Sequence, residues 1–323
     1  MVCKEIVKAK LTCYIKFFIG IFLYLHLMSG KEFFINRYKE LGWKYEDIEL
    51  KQAIRINTIN AEEANIVERL QLRGMKLEKI PFLHKGYWIS KSKFSVGATS
   101  EYLLGLYSIQ EAAAQIPATL FMELKDKLVL DACAAPGGKT VQLADLMQNT
   151  GAIIALDVKK QRLIALSNQL ERCHVVNTMV YNLDARQASR FKLKFDRILL
   201  DMPCSGNFAT DNEWFRRRTI NDVKRNERLQ REILVEAVKV LSDDGEIVYA
   251  TCSLEPEENE LNIDWAIKTL RLQVQKINCY GEKALTKIFK QQLDNSVENC
   301  RRIWPRETQG FFVCKLKKID DAI

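Results

Sequence analysis

Beyond residue 127, the apolar positions of this chain alternate between two spacings. Short apolar runs of strand length are separated by longer segments whose apolar residues recur every three or four positions, as on one face of a helix. Strands are predicted over 128–131, 153–157, 178–181, 196–201 and 246–250, and helices over 139–148, 159–172 and 219–241. This alternation is typical of a doubly wound α/β fold, a mostly parallel sheet with helices on both faces. A last apolar run over 310–316 predicts an antiparallel edge strand.

The region before residue 128 has a different pattern and predicts a smaller unit. Residues 29–95 indicate an α+β domain, with helices that begin near Phe33 and at Asn60 and strands over 54–59, 77–80 and 87–89. Residues 96–127 indicate a connecting helical segment, with an alanine-rich helix over 108–118. A large domain over 128–323 follows this connection.

Residues 1–28 form a hydrophobic extension whose pattern differs from that of both predicted domains. Four lysines and one glutamate accompany an apolar run from Phe17 to Met28, and these twelve residues are too few to span a bilayer. The run is similar to a signal-peptide core, but no small-residue cleavage site follows it. We expect no stable membrane association, with Met28 as the real start of the protein. A loose membrane anchor is the alternative.

The composition of the chain limits which kinds of binding partner and which kinds of cysteine site are expected. The net charge of +8 favours a polyanionic partner. Nine cysteines occur without a C-x-x-C pair and with only three histidines, which argues against a zinc site and against a disulfide framework. Reduced thiols in a cytoplasmic protein without a metal fit this composition best.

The segment Asp131–Thr140 lies between the first strand and first helix of the large domain. Gly137 and Gly138 let the backbone approach a ligand, and the following helix offers free N–H groups. Asp157 ends the next strand, about 20 residues later, where nucleotide sites of this fold place a ribose-binding carboxylate. A phosphate-binding P-loop would need glycine in place of Cys133, and no G-x-G-x-x-G motif is present. A plain strand-to-helix turn without a ligand is the alternative.

Several chemically active residues follow the predicted parallel strands. They are Cys133, Asp157, Asp184, Asp201, Cys204 and Cys252. The carboxyl ends of parallel strands form the ligand-binding edge of such sheets. We therefore expect a nucleoside ligand bound by the acids and thiol chemistry at Cys204 and Cys252. Cys173, Cys279 and Cys314 fit the ordinary role of a small buried apolar residue.

Three motifs resemble the signatures of the Sun-type RNA (cytosine-5) methyltransferases. They are Asp131–Thr140, Asp201–Gly206 and Thr251–Glu260, with flanking similarity at 54–58, 105–111 and 308–312. The resemblance covers roughly residues 29–318. Because no separate RNA-binding domain is added, the chain is most similar to the compact archaeal transfer-RNA enzymes of that family.

The resemblance implies a Rossmann-like, seven-stranded catalytic domain over 128–323, an RNA-binding domain over 29–95 and S-adenosylmethionine as the cofactor. The implied contacts to its methionine and ribose parts come from one loop, Cys133, Ala134, Ala135, Pro136, Gly137, Gly138 and Lys139. Asp157, with Arg162 nearby, is implied at the ribose and Asp184 at the adenine. Asp201 is implied between the cofactor and the target base. Met202 departs from the small residue common in the family.

The resemblance also implies separate roles for two cysteines. Cys252 matches the nucleophile that adds to carbon 6 of cytosine, and Cys204 matches the cysteine needed for product release. We expect an RNA methyltransferase, acting on tRNA as a monomer. Methylation of rRNA and a non-catalytic RNA-binding or assembly factor are the alternatives. A DNA cytosine-5 methyltransferase is disfavoured because residues 203–251 leave no room for a target-recognition insertion.

Basic and aromatic side chains are candidates for contact with RNA. The candidates are Arg55, Lys85, Lys93, Trp214, Phe215, Arg216, Arg217, Arg218, Trp304 and Arg306. For each of them a purely structural role remains an alternative, solvated charge for the basic residues and core-edge packing for Trp304.

Overall fold

The computed structural model describes residues 29–319. The hydrophobic extension predicted over residues 1–28, including the proposed start at Met28, lies outside the described residues. Within residues 29–319, no helix is long and apolar enough to cross a membrane.

The main sheet is formed by the second half of the chain. Its strands are β5 (Leu128–Asp131), β6 (Ala152–Leu156), β7 (Thr178–Tyr181), β8 (Phe195–Asp201), β9 (Leu241–Thr251), β10 (Leu272–Gln275), β11 (Glu282–Lys283), β14 (Arg301–Ile303) and β15 (Phe311–Lys318). The order is β11-β14-β15-β9-β8-β5-β6-β7, with β10 also paired to β15. Strands β5 to β9 are parallel, and β15 is antiparallel to β9. Two further short strands, β12 (Lys287–Ile288) and β13 (Gln291–Gln292), form a separate hairpin.

The doubly wound α/β class predicted from the sequence is therefore confirmed, and β15 is the expected antiparallel strand. The sheet has nine strands rather than the seven that the resemblance implies. The two additional strands, β10 and β11, are short antiparallel pieces beyond β15, on the side away from the ligand-binding strands.

Helices cover both faces of the main sheet. They are α5 (Gly138–Leu146), α6 (Lys160–Arg172), α7 (Trp214–Arg217), α8 (Ile220–Val240) and α9 (Glu260–Leu270), with 3-10 turns at Ala185–Phe191, Pro256–Glu258 and Asn295–Asn299. Neighbouring residues of β8 enter different cores, Leu200 on one face and Leu199 on the other. A strand with two buried faces must be apolar at every position, which explains the continuous apolar runs in the sequence.

The long helix α8 begins where its sequence predicts. The Thr219 hydroxyl accepts a hydrogen bond from the backbone N–H of Asp222, and the Asp222 carboxylate accepts one from the N–H of Thr219. This reciprocal capping box satisfies two N–H groups that the helix cannot pair internally.

The small sheet combines residues from two predicted segments. It has the order β2-β3-β1-β4 and contains β1 (Ala53–Ile56), β2 (Lys76–Lys79), β3 (Gly86–Lys91) and β4 (Tyr107–Ile109). Helix α2 (Glu63–Leu72) packs against it through Ile66 and Leu70. Because β4 comes from residues 96–127, the sheet extends past the boundary predicted at residue 95.

The alanine-rich helix predicted over 108–118 is wrong. The segment 96–127 instead contains a 3-10 turn (Val96–Ala98), α3 (Ser100–Leu103), β4, a second 3-10 turn (Ala113–Gln115) and α4 (Ile116–Thr119). The backbone N–H of Ala113 donates to the Glu111 carboxylate and to the Thr308 hydroxyl, at 2.8 and 2.9 Å. The local bond to Glu111 and the tertiary bond to Thr308 replace the bonds of a continuous helix and outweigh the helix propensity of alanine.

Helix α1 (Gly30–Glu40) belongs to the core of the large domain rather than to the small sheet. Phe34 and Tyr38 are fully buried, and the Phe34 ring lies edge-on to Trp214 with centroids 4.6 Å apart. The helix therefore anchors the start of the described chain beside the turn that follows β8.

Candidate active site

The candidate active site lies at the carboxyl ends of the parallel strands β5, β6, β8 and β9. A cavity of about 200 Å³ opens there beside the loop between β5 and α5. Its lining combines residues after β5, Asp201 at the end of β8, and part of the segment that follows β4. These lining residues are Ile109, Gln110, Ala114, Asp131, Cys133, Ala134, Pro136, Gly138, Lys139 and Asp201. The predicted loop Cys133–Lys139 thus supplies much of the cavity wall.

Glycine is required at the turn for a steric reason. Gly137 has φ +108°, and a Cβ atom there would lie 2.9 Å from a methyl group of Leu166 on α6. Helix α5 begins at the next residue, so its N-terminus faces the cavity side of the loop. The pair of glycines therefore sets both the turn and the close packing of α6 beneath it.

Asp131 places an unpaired polar atom at the base of this cavity. Its Oδ2 atom accepts a hydrogen bond from the Thr140 hydroxyl at 2.7 Å, whereas the buried Oδ1 atom has no hydrogen-bond partner. Burial raises the pKa of Asp131 to about 7, and the nearby Asp201 carboxylate adds to the effect. Burial likewise raises the pKa of the Cys133 thiol, so this cysteine lines the cavity in its neutral form.

Asp157 lies directly after β6, as predicted, and is almost fully buried. Its Oδ2 atom forms an ion pair with Arg162 at 3.0 Å, and its Oδ1 atom accepts a bond from the Lys159 N–H at 2.8 Å. Arg162 also donates to the carbonyl of Ala135 in the cavity loop. The structure therefore brings Asp157, Arg162 and the loop together.

Asp184 caps the 3-10 turn Ala185–Phe191 and is held by the residue two positions later. The Arg186 guanidinium binds its carboxylate at 2.7 Å and lowers its pKa by hydrogen bonding. Asp184 does not line the cavity described above. Its contact with an adenine ring stays a prediction.

Asp201 forms the link between the cavity and the thiols. Its Oδ2 atom accepts a hydrogen bond from the Lys139 ammonium group at 2.7 Å. Burial alone would lower the pKa of Lys139, but the Asp201 charge and hydrogen bond raise it above the ordinary value. Lys139 is thus held as a cation at the cavity wall, pointing to the end of β8.

The sulfur atoms of Cys204 and Cys252 lie 3.2 Å apart. The hydrogen bond between the two sulfurs is the largest cause that raises the pKa of Cys204, and burial is the second. The hydrogen bond and burial therefore favour the protonated form of Cys204, and either sulfur can be the donor in the bond between them. The two predicted catalytic cysteines form one contiguous site.

Polar side chains that the sequence interpretation did not single out hold the two cysteine turns. The Asn207 amide donates to the carbonyl of Cys252 at 2.7 Å, and the Gln230 amide donates to the carbonyl of Pro203 at 2.9 Å. Ser205 binds the buried carboxylate of Glu258. Glu258 lies within the third motif, but its burial arises only when α8 and the turn 256–258 pack together.

Two of the three aromatic candidates for RNA stacking are core residues. Trp214 is buried and donates from its indole N–H to the carbonyl of Ser205 at 2.8 Å. Trp304 is buried and stacks on Trp43 with an interplanar angle of 6°, which is the packing role given as its alternative. Phe215 stacks on Phe208 but is only half-buried, so its contact with RNA stays a prediction.

The basic candidates divide into buried and exposed groups. Arg55 is buried and donates to Gln110 at 2.9 Å, and Lys85 pairs with Asp145 at 3.0 Å; neither is a free phosphate ligand. Lys93, Arg216, Arg217 and Arg306 are exposed, and Arg218 is partly exposed. Within residues 29–319, no group of three or more histidine, cysteine or acidic residues forms a metal site.

Comparison with known proteins agrees with this architecture. The family model described as 16S rRNA methyltransferase RsmB/F matches residues 118–317, and the N-terminal domain of 16S rRNA methyltransferase RsmF matches residues 29–112. A solved structure of a methyltransferase homologue from Pyrococcus horikoshii superposes with a TM-score of 0.79. The two sequences are 34% identical, and the match covers 93% of this chain and 95% of the other.

Characterised relatives differ in length and in the RNA that their names give. A human 28S rRNA (cytosine(4447)-C(5))-methyltransferase is 33% identical over 84% of this chain, which spans only 34% of that protein. The tRNA (cytosine(49)-C(5))-methyltransferase of Pyrococcus abyssi is 32% identical, with 88% of this chain and 95% of the relative covered. From the site geometry and these matches, the chain belongs to the family described as 16S rRNA methyltransferase RsmB/F.

Proposed function

We propose that this protein transfers a methyl group from S-adenosylmethionine to carbon 5 of cytosine in RNA, and that tRNA is its substrate. The observation that carries the proposal is the pair of thiols 3.2 Å apart, next to the cavity bounded by Asp201 and Lys139. Carbons 5 and 6 of cytosine are adjacent, so two adjacent sulfurs suit a reaction in which each serves one of these carbons.

The cavity fits S-adenosylmethionine by its chemistry. The buried Oδ1 atom of Asp131 is an acceptor without a partner, and residues Cys133–Lys139 would enclose the methionine part. Asp157 would bind the ribose hydroxyls, with Arg162 holding the carboxylate in place, and Asp184 would lie at the adenine. When bound, S-adenosylmethionine supplies an electrophilic methyl group.

Cys252 would act first, on the target base. The Cys252 thiolate would add to carbon 6, and the electron pair of the carbon 5–carbon 6 double bond would form the new bond from carbon 5 to the methyl group while the bond from that methyl group to the cofactor sulfur breaks. Asp201 would share a proton with nitrogen 3 of the cytosine ring and so hydrogen-bond it, while Lys139 holds the Asp201 side chain in place. The base must leave its stack to reach this position.

Cys204 would complete the reaction. The proton on carbon 5 must leave so that the double bond can re-form and the carbon 6–sulfur bond can break, returning the thiolate to Cys252. The hydrogen bond to Cys252 and burial raise the pKa of Cys204, so its thiol would first have to release its own proton to a water molecule before the resulting thiolate, a strong base, could accept the carbon 5 proton. We assign the removal of this proton to Cys204 or to a water molecule that it positions.

The choice of tRNA rests on the tRNA (cytosine(49)-C(5))-methyltransferase of Pyrococcus abyssi, which is 32% identical to this chain and is covered by it over 95% of its length. Ribosomal RNA is the alternative substrate, because the matching family model and several relatives are named for rRNA. We further propose that the protein acts as a monomer and is cytoplasmic; the seven described cysteines are free thiols, which supports that location.

Bisulfite sequencing of total RNA from a deletion strain tests the substrate. We expect one cytosine of a tRNA to lose its methylation and to regain it when the purified protein is added with S-adenosylmethionine. Loss at an rRNA cytosine would replace tRNA by rRNA as the substrate. Unchanged methylation throughout, with no transfer in vitro to either RNA, would contradict the proposed activity.

A further inference from the structure

A buried carboxylate lies beneath the two cysteine turns. Glu258, in the 3-10 turn Pro256–Glu258, is fully buried. Its carboxylate accepts a hydrogen bond from the backbone N–H of Ser205 at 3.0 Å and one from the Ser205 hydroxyl at 2.7 Å. A buried carboxylate is costly unless such donors compensate for lost hydration, so this contact strongly fixes the position of Ser205.

The contact extends from one cysteine turn to the other. Ser205 follows Cys204 directly and Ser253 follows Cys252 directly, and their hydroxyl oxygens lie 3.0 Å apart. Glu258 therefore ends a short chain of hydrogen bonds that ties the residues next to both thiols. The Asn207 amide adds a second connection at the carbonyl of Cys252.

The charge of Glu258 acts on the same pair. Burial raises the pKa of Glu258 to about 7, while the bonds from Ser253 and Ser205 oppose this rise. After the Cys252 hydrogen bond and burial, the charges of Cys252 and Glu258 further raise the pKa of Cys204. The Glu258 charge thus favours the protonated form of the Cys204 thiol.

We propose that Glu258 is a positioning residue that holds the Cys204 and Cys252 thiols at the separation needed for consecutive action on one cytosine. It acts through Ser205 and Ser253 and does not touch the sulfur atoms or the base. The structural part of this inference concerns the dithiol alone, whereas its consequence for turnover rests on the proposed function.

A dithiol-specific reagent measures the separation without any catalysis. Phenylarsine oxide condenses with two adjacent thiols, forming two arsenic–sulfur bonds and releasing one water molecule, with no change in oxidation state. We expect the full-length protein to bind one equivalent at this pair, and Cys204→Ser and Cys252→Ser to abolish that binding. The phenylarsine oxide bound by the wild-type protein but not by Cys252→Ser is the amount bound at this pair. Reagent bound at the other cysteines is the same in both proteins and is subtracted.

Glu258→Ala should weaken this phenylarsine oxide binding by about tenfold or more, because the two turns lose their common anchor. Glu236→Ala is the matched control, since Glu236 is also buried and also accepts a backbone N–H bond, from Ser189 at 2.9 Å, but contacts neither cysteine turn. Wild-type affinity in Glu258→Ala, or an equal loss in Glu236→Ala, would overturn the proposal.

Two milder variants keep the test valid if Glu258→Ala fails to fold. Glu258→Gln retains the shape of the side chain, and Ser205→Ala removes one hydroxyl. We expect both to lower kcat for methyl transfer while KM for RNA and for S-adenosylmethionine changes by less than about twofold, the pattern of a lost transition-state arrangement. The double variant of Glu258→Gln and Ser205→Ala should lower kcat little more than the more harmful single variant does, because both substitutions break the same chain of hydrogen bonds.

The positioning role of Glu258 and the proposed methyl transfer can fail independently of each other. Normal kcat in both milder variants, with normal phenylarsine oxide binding, would refute the positioning role. If the wild-type protein transfers no methyl group to any RNA, the proposed function fails, whereas the arsenical measurement still decides whether Glu258 holds the two thiols.

Discussion

The sulfur atoms of Cys204 and Cys252 are 3.2 Å apart although 48 positions separate the residues in sequence. Parallel pairing of β8 with β9 produces this proximity, with Asp201 aligned to Ala250 and the N–H of Met202 bonded to the Ala250 carbonyl. Each strand ends at the same edge of the sheet, and the turn that follows it carries a cysteine. At this distance the two thiols can act together on one substrate.

The first prediction separates the roles of the two thiols. Cys204→Ala should attack RNA and transfer the methyl group but stall as a covalent protein–RNA adduct, because elimination also needs the carbon 5 proton to be removed. Cys252→Ala and the double variant should form neither adduct nor product. A slowly migrating band on a denaturing gel, with radiolabelled RNA, detects the adduct.

The opposite pattern of adducts would exchange the roles of the two cysteines. An adduct in Cys252→Ala that disappears in the double variant would make Cys204 the nucleophile, as in the DNA cytosine-5 enzymes. Cys279→Ala is the control, since this half-buried cysteine takes no part in the contact between Cys204 and Cys252 and should leave adduct formation and turnover unchanged.

The second prediction concerns cofactor binding at Asp157. Asp157→Ala should weaken the binding of S-adenosylmethionine or its demethylated product by roughly 1–3 kcal/mol, because ribose hydroxyls would lose a buried acceptor and Arg162 its partner. Isothermal titration calorimetry measures the change, and Asp244→Ala, an exposed carboxylate on β9, is the control. Equal affinities of Asp157→Ala and the wild-type protein would remove Asp157 from the ribose site.

The third prediction uses the pKa of Asp131, which burial raises from 3.8 to about 7. Between these values the folded protein holds a proton that the unfolded chain releases. Stability from this group is therefore complete at low pH and declines as the pH rises toward 7. Asp131→Asn lacks this dependence.

The free energy of unfolding of Asp131→Asn, relative to the wild-type protein, should consequently increase between pH 5 and pH 8, by at most about 3 kcal/mol. Urea unfolding at the two pH values provides the comparison. A difference that is constant, or that decreases with pH, would show that Asp131 does not hold its proton in the folded protein.

The fourth prediction addresses RNA contact by Arg216, Arg217 and Arg218. Their replacement by glutamate should raise the RNA dissociation constant and reduce the slope of log K against log salt by about 2, because fewer counterions are released. Glutamate at Lys283, Lys287 and Lys290 is the charge-matched control on another exposed surface. If both triple variants change the slope equally, the arginine run contributes only net charge. An unchanged slope would leave it as a solvated turn whose Arg216 pairs with Glu213.

Local signals in the sequence were sufficient for the parallel strands β5 to β9 and for β15, but they did not predict the short strands between residues 272 and 303. Continuous apolar runs identified strands with two buried faces, Thr219 and Asp222 identified the start of α8, and the glycine pair identified the turn before α5. The same local approach failed over 108–118. There the backbone N–H of Ala113 is bound by Glu111 and by Thr308, which lies 195 residues away in sequence, and no local pattern reveals such a partner.

The sequence by itself determined the residue types of the site and the edge of the sheet at which they gather, because the end of each parallel strand is a local feature. Only the tertiary structure decided their pairing: Lys139 with Asp201, Asp157 with Arg162, and Cys204 with Cys252. It also decided that Trp214 and Trp304 are core residues and that Glu258 is buried beneath the cysteine turns. Burial and long-range pairing depend on which elements pack together, and that packing is a property of the whole fold.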